Sequence, residues 1–178
     1  MASTAVSAPQ TSYTLPAKFY HWTTAVLIAA MFVTIWLRGF MESKSPAQAF
    51  WTNAHTSLGI LVFGLTLVRL LSRPHAPESG ESAFAEFLRT AMHRTLLVVT
   101  LLLPISGFVR MSARNRVTDF FGYAIASPFG DAPSIYAIGR ALHGDAMQYV
   151  VLALIGLHVV AALGHHYVLK DDTLRRMV

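Results

Sequence analysis

The last long apolar run of the chain constrains the fold most. From His143 to Lys170 it reads HGDAMQYVVLALIGLHVVAALGHHYVLK, with no Asp, Glu, Lys or Arg between Asp145 and Lys170. At a helical rise of about 1.5 Å per residue this is long enough to cross a hydrocarbon core of roughly 30 Å. The run therefore reads as a membrane-spanning helix, and it carries His143, His158 and His165. An ionisable side chain inside such a helix is costly and marks a function by default. The fifteen steps from His143 to His158 turn the two imidazoles roughly 60° apart and separate them by roughly 22 Å in depth. They cannot share one ligand. Each can bind its own planar cofactor, one near each face of the bilayer, if another helix supplies a second histidine at the matching depth.

Of the 178 residues, 54% are hydrophobic and only 13% charged, and the apolar residues fall in long runs rather than amphipathic stripes. That pattern predicts one compact membrane domain in contact with lipid. Residues 1–15 have no charged segment followed by an apolar one, so no cleavable signal is expected and the stretch reads as a disordered tail. The chain has no cysteine, which excludes disulfides, thiolate metal sites, iron–sulfur clusters and covalent attachment of a c-type haem. Any haem must be held by side-chain coordination alone, as in a b-type cytochrome. The net charge is +5, but the basic residues sit at the ends of apolar runs, where they anchor helices at headgroups. No nucleic-acid partner is expected.

Four spans are predicted, at about 16–40, 53–72, 90–111 and 143–170. Pro16 suits the first turn of the first span, with Lys18 at the headgroup boundary and His21 between the interface residues Tyr20 and Trp22. The second span opens with His55 and has Gly59 one turn on, where either a flat ring or a neighbouring helix can lie close. A polar loop follows, in which His75 reads as solvated. The third span opens with His93 and Arg94 and holds Pro104, where a kink is expected. The stretch SARNRVTDFFGYAIASPFGDAPSIYAIGRAL is too interrupted by charge, Gly and Pro to span and reads as a long interfacial loop. Residues 171–178 read as a polar tail.

Alternation of four spans puts the starts of the first and third on the same side as the end of the fourth. His55 and His143 then share one leaflet, and His21 and His158 the opposite half. This is the fold class expected here: an all-α membrane protein whose four-helix transmembrane bundle encloses two b haems, each iron held by two imidazoles, His21 with His158 and His55 with His143. The match in depth is imperfect. His21 is one turn from Lys18, whereas His158 lies about 18 Å along its helix from Lys170, so the fourth span must protrude or tilt. The 60° offset must also be absorbed, by helix rotation or a π-bulge. His165 lies on nearly the same face as His158 and about 10 Å further out, toward the side where His93 begins the third span. Imidazoles there can donate to a quinone carbonyl, or alternatively bond haem propionates or headgroups. His166 points away and reads as an interface residue.

At this point the sequence resembles the bacterial cytochrome b561 family over nearly its full length, Lys18 to Met177. The resemblance is carried by His21–Trp22, LRGF at 37–40, HTSLG at 55–59, VRLLSR at 68–73, LLPISG in the third span and, most specifically, GLHVVAALGHHYVLKDDTLRRM. It implies a multi-pass di-haem b cytochrome of the bacterial inner membrane with both termini cytoplasmic. It also implies the same iron ligands, His21 with His158 and His55 with His143. The activity implied is transfer of an electron from periplasmic superoxide, or another periplasmic donor, to ubiquinone, with His93 and His165 at the quinone. The basic residues support that orientation weakly, eight of fourteen falling on the side of the termini. Those on the other side can steer an anion inward or pair with haem propionates, Arg38 being the foremost candidate for the second role. Two rivals stand beside this expectation: a haem b membrane-anchor subunit passing electrons between quinone and a docked dehydrogenase or hydrogenase, and a non-redox interaction protein with structural histidines.

Overall fold

The computed structural model describes residues 12–72 and 82–178; the expectations for residues 1–11 and for His75 lie outside them. The elements are α1 (Leu15–Gly39), α2 (Pro46–Ser72), α3 (Ala83–Ser112), an antiparallel hairpin of β1 (Thr118–Phe120) and β2 (Tyr123–Ile125), α4 (Pro133–Leu142) and α5 (Asp145–Gly164). A π-helical turn, His165–Leu169, continues α5. Four stretches are long and apolar enough to cross a membrane: α1, α2, α3 and the run Pro133–Leu169 that contains α5. The chain is an all-α membrane protein built as a four-helix bundle.

Local chemistry sets the helix ends. A proline lies in the first turn of α1 and Arg38 in its last, where a cation faces the carbonyl end. Ser82 caps α3 by accepting from the Ala85 amide at 3.3 Å, with Glu86 in the first turn. Pro104 lies inside α3, which nevertheless stays one helix from Ala83 to Ser112.

Large apolar side chains face outward, among them Phe19 and Val26 of α1 and Leu157 and Val160 of α5. In water such a surface would drive association; in lipid it is the expected exterior, and helices suit it because they satisfy their own backbone. Most buried positions are small or hydroxylic instead, including Thr34, Ser57, Thr66, Ser106 and Ser112, with Val62 and Val151 beside them, as expected where helices approach closely in a membrane. Gly59 is also buried, and a Cβ there would sit 3.5 Å from Met31 Cε, so it forms a contact between α1 and α2.

Packing runs in sequence, α1 on α2, α2 on α3, and α3 on both α4 and α5. Among the described residues no Cα of α5 comes within 8 Å of a Cα of α1 or α2. The bundle is open along that line, and only side chains reach across it.

Three boundaries differ from the sequence expectation. α2 begins at Pro46 instead of 53 and α3 at Ala83 instead of 90; the added stretches, PAQAFWT and AFAEFLR, mix apolar residues with Pro, Gln, Glu and Arg and so fall outside the continuous apolar run that hydropathy marks. The expected long loop instead folds into the β1–β2 hairpin and α4. Ser57 of α2 fastens the hairpin, accepting from the Phe121 amide at 3.0 Å and donating to the Asp119 carbonyl at 3.3 Å. Most consequentially, the run from His143 is not one helix. His143 follows α4 with φ −140° and ψ 58°, Gly144 is extended, and α5 starts at Asp145.

Two glycines make this corner possible. A Cβ on Gly139 would lie 2.9 Å from Arg110 Cα, so α4 crosses α3 with its backbone almost in contact. A Cβ on Gly144 would lie 2.5 Å from the Arg140 carbonyl oxygen. The Arg110 guanidinium donates to the carbonyl of His143 and ties the corner to α3.

Candidate functional site

Two pairs of imidazoles face one another across the open line of the bundle. The rings of His55 on α2 and His143 at the α4–α5 corner have centroids 6.1 Å apart. Those of His21 on α1 and His158 on α5 are 6.2 Å apart. A metal–imidazole bond is about 2 Å long, and adding the distance from nitrogen to ring centre on each side puts two imidazoles trans to one metal at about 6 Å between centroids. Both pairs have that spacing. No group of three or more His, Cys, Asp or Glu among the described residues can hold a metal ion. Two facing imidazoles fit a metal whose other ligands come from a macrocycle, as in haem b.

The hydrogen bonds of the first pair fit that use. A backbone carbonyl can only accept, so the nitrogen bonded to it must carry the proton. His55 Nδ1 donates to the Met31 carbonyl at 3.1 Å, and His143 Nδ1 to the Leu103 carbonyl at 2.8 Å. In both rings Nε2 is then left unprotonated for a metal, the usual outer-shell arrangement of a ligating histidine. The two cradles share a design. Thr34, three residues after Met31, donates to the same carbonyl at 2.7 Å and stands 3.3 Å from His55 Nδ1. Ser106, three residues after Leu103, donates to that carbonyl at 2.8 Å and stands 3.4 Å from His143 Nδ1. Each imidazole is thus held by a neighbouring helix, His55 by α1 and His143 by α3.

The corner at His143 also removes the 60° offset expected for a continuous helix. His143 lies outside α5 and its ring direction is set by α3, not by the helical phase of His158. The π-turn lies beyond His158 and plays no part in this. At the other end the chain changes course after the π-turn. The last residues double back onto α1: Lys18 Nζ donates to the Val178 carbonyl, Trp22 Nε1 to the Met177 carbonyl at 3.0 Å, and the Tyr13 amide to the Arg176 carbonyl at 3.1 Å.

His93 and His165, expected as one group beyond His158, take different places. The ring of His93 stands 5.4 Å from that of His158, so it adjoins the second pair directly. His165 Nδ1 instead bonds Asp171 Oδ2 at 2.5 Å. Burial pushes the Asp171 carboxyl up, but its hydrogen bonds from His165 and Thr173 outweigh this and hold it at about 2. Asp171 was not singled out from the sequence. Its spacing of six residues from His165 gives no helical neighbour, and the contact exists because Lys170 takes a left-handed conformation, φ 56°, that returns the chain. Arg38 Nε donates to Thr52 Oγ1 at 3.0 Å, one turn before His55.

Beside His143 lies a cavity of about 720 Å³ lined by Arg110, Tyr136, Arg140, Gly144 and Asp145, among others. Arg114 adds a third guanidinium nearby, 4.0 Å above the Tyr136 ring. The sequence placed these arginines on one side of the membrane; α4 gathers them at one imidazole pair.

Residues 12–178 match the sequence family described as prokaryotic cytochrome b561. The chain is 29% identical over 165 residues to cytochrome b561 homolog 1 of Escherichia coli strain K12, covering 90% of this chain and 93% of that one. It is 30% identical over 167 residues to cytochrome b561 homolog 2 of the same organism, covering 89% and 87%. With the Yersinia pestis protein named "Probable superoxide oxidase CybB" it shares 32% identity over 166 residues, covering 89% and 90%.

Proposed function

Since the chain belongs to the prokaryotic cytochrome b561 family, a family of membrane haem b electron-transfer proteins, we propose that it is a di-haem cytochrome of the bacterial inner membrane that oxidises periplasmic superoxide and reduces ubiquinone. The observation that carries the reading is the pair of imidazole couples at 6.1 and 6.2 Å between helices whose backbones do not meet. His55 with His143 would hold one haem and His21 with His158 the other. When bound between these imidazoles, haem b would supply one-electron redox chemistry.

The chain's own residues supply binding, orientation and protons. The carbonyls of Met31 and Leu103 keep the protons of His55 and His143 on Nδ1. The arginines at the cavity beside His143 attract a small anion to that pair, and Arg38 is offered as a propionate partner. With the termini cytoplasmic, this end faces the periplasm. His93 and His165, toward the other end, donate to the quinone oxygens. In the complete reaction two superoxide ions each lose one electron and leave as O₂, and one quinone gains two electrons and two protons. The name of the Yersinia pestis relative supports superoxide as donor.

The test is purified protein in a superoxide flux, followed by absorption spectroscopy with and without a short-chain ubiquinone. Reduction of two haems per chain, and their reoxidation on adding quinone with no other protein present, is the expected result. Reduction only when a dehydrogenase or hydrogenase subunit is added would assign the chain as a membrane anchor instead. A spectrum without a b-type α-band would remove the redox reading altogether.

A further inference from the structure

The end of α5 holds a polar arrangement that electron transfer alone does not require. His165 Nδ1 and Asp171 Oδ2 are 2.5 Å apart, with the two side chains 30% and 39% exposed. The carboxylate is fixed on both sides, because its other oxygen accepts from the Thr173 amide at 2.9 Å. The backbone closes the same loop, the Asp171 amide donating to the His165 carbonyl at 3.1 Å. What brings Asp171 under the ring is the π-turn followed by left-handed Lys170, and what keeps it there is the tail pinned to Trp22 and Lys18 of α1.

We propose that Asp171 is the positioning residue for proton delivery by His165: it holds the imidazole proton on Nδ1 and directs Nε2 to the reducible substrate. This rests on the reading of His165 as a quinone contact and deepens it. An ionised carboxylate only accepts hydrogen bonds, so the nitrogen facing it must be N–H. The opposite nitrogen is then the one that carries the transferable proton when the ring is protonated, the division of labour seen wherever a carboxylate orients a catalytic imidazole. As the electrons arrive from the cytochrome, the Nε2–H bond of His165 breaks and an O–H bond forms on the quinone oxygen it faces, while the second O–H bond forms at the other oxygen, on the His93 side. The exposed side of the pair lets water return a proton to Nε2. Asp171 takes up no proton in this cycle; it fixes the tautomer and balances the charge of the protonated ring.

The Asp171→Asn holoprotein tests this, because the amide preserves size while its NH₂ group can donate to Nδ1 and favour the opposite tautomer. Dithionite-reduced protein is mixed with a short-chain ubiquinone and the reoxidation of the haems is followed. Expected are two haems per chain with an unchanged reduced spectrum, a maximal rate of reoxidation lowered roughly 10- to 100-fold, and a half-saturating quinone concentration changed little. ¹⁵N spectra of histidine-labelled protein are expected to show His165 protonated at Nδ1 in the parent and at Nε2 in Asp171→Asn, and Asp171→Glu is expected to restore most of the rate. A normal rate in Asp171→Asn alongside a slow His165→Ala variant overturns the role of Asp171 and leaves the quinone reading standing. A His165→Ala variant as fast as the parent overturns both. An unaltered His165 tautomer in Asp171→Asn overturns the positioning role whatever the rate.

Discussion

The ring of His143 lies against the backbone of Gly107: a Cβ at that glycine would stand 3.0 Å from His143 Cε1 and 3.2 Å from both ring nitrogens. The glycine is one turn beyond Leu103, whose carbonyl binds the same ring. The missing side chain is what lets the imidazole settle on α3 with its ring centroid 6.1 Å from that of His55. Gly107→Val fills the seat and is expected to cost about 1–3 kcal/mol through overpacking. The haem content should fall from two per chain to one, measured by pyridine haemochrome against protein, with the His21–His158 haem retained. Two haems in Gly107→Val would mean that the His143 ring does not need this seat.

The two imidazole pairs make separable predictions. His158→Ala and His21→Ala are each expected to remove one haem per chain, and the double variant to remove no more than either alone. Loss of both haems in the double variant would show that these residues belong to different sites.

The tail is held to α1 by few bonds, and its docking should respond to each. Trp22→Phe deletes the donor to the Met177 carbonyl, at an exposed site where one hydrogen bond is worth at most about 1 kcal/mol. Carboxypeptidase removal of the last residues is expected to speed up by up to about fivefold, the factor that corresponds to such an energy. No acceleration would show that the other tail contacts hold it unaided.

Asp171 supplies a pH prediction. Its carboxyl is held at about 2, below the ordinary 3.8, by the hydrogen bonds from His165 and Thr173. Because the folded value is the lower one, the stabilisation is complete above about pH 4 and is lost as the pH falls toward 2. Asp171 is therefore ionised throughout the neutral range. The profile of quinone reduction between pH 5 and 8 should contain no limb that Asp171→Asn abolishes while leaving the rest of the profile unchanged. Such a limb would show that the carboxyl itself exchanges protons during turnover.

Much of the architecture could be read from spacing and hydropathy, and what escaped has identifiable causes. Apolar runs longer than a bilayer is thick permit little except spanning helices, and four of them must alternate. That alternation sets His21 level with His158 and His55 level with His143, and the rings stand 6.2 and 6.1 Å apart. The break at His143 was missed because the fourth run was read as one helix. The signal was there in Gly144 followed by Asp145, a small residue at the N-cap and an acid in the first turn. The helical ends at Pro46 and Ala83 escaped for a different reason, since PAQAFWT and AFAEFLR interrupt their apolar residues with Pro, Gln, Glu and Arg and do not extend the continuous apolar run.

Taken alone, the sequence determined that the chain lives in a membrane, how many times it crosses, and which histidines stand opposite one another in two pairs, because long apolar runs in hydrocarbon form helices of fixed rise. Only the tertiary structure decided which atoms face which. The Nδ1 protons of His55 and His143 rest on carbonyls of neighbouring helices, α4 brings arginines to one imidazole pair, His93 stands beside His158, and Asp171 turns back under His165. Each of these depends on a close approach between segments distant in sequence or on one unusual backbone torsion. Neither leaves a periodic trace in the chain, because side-chain direction is fixed by packing and not by helical rise.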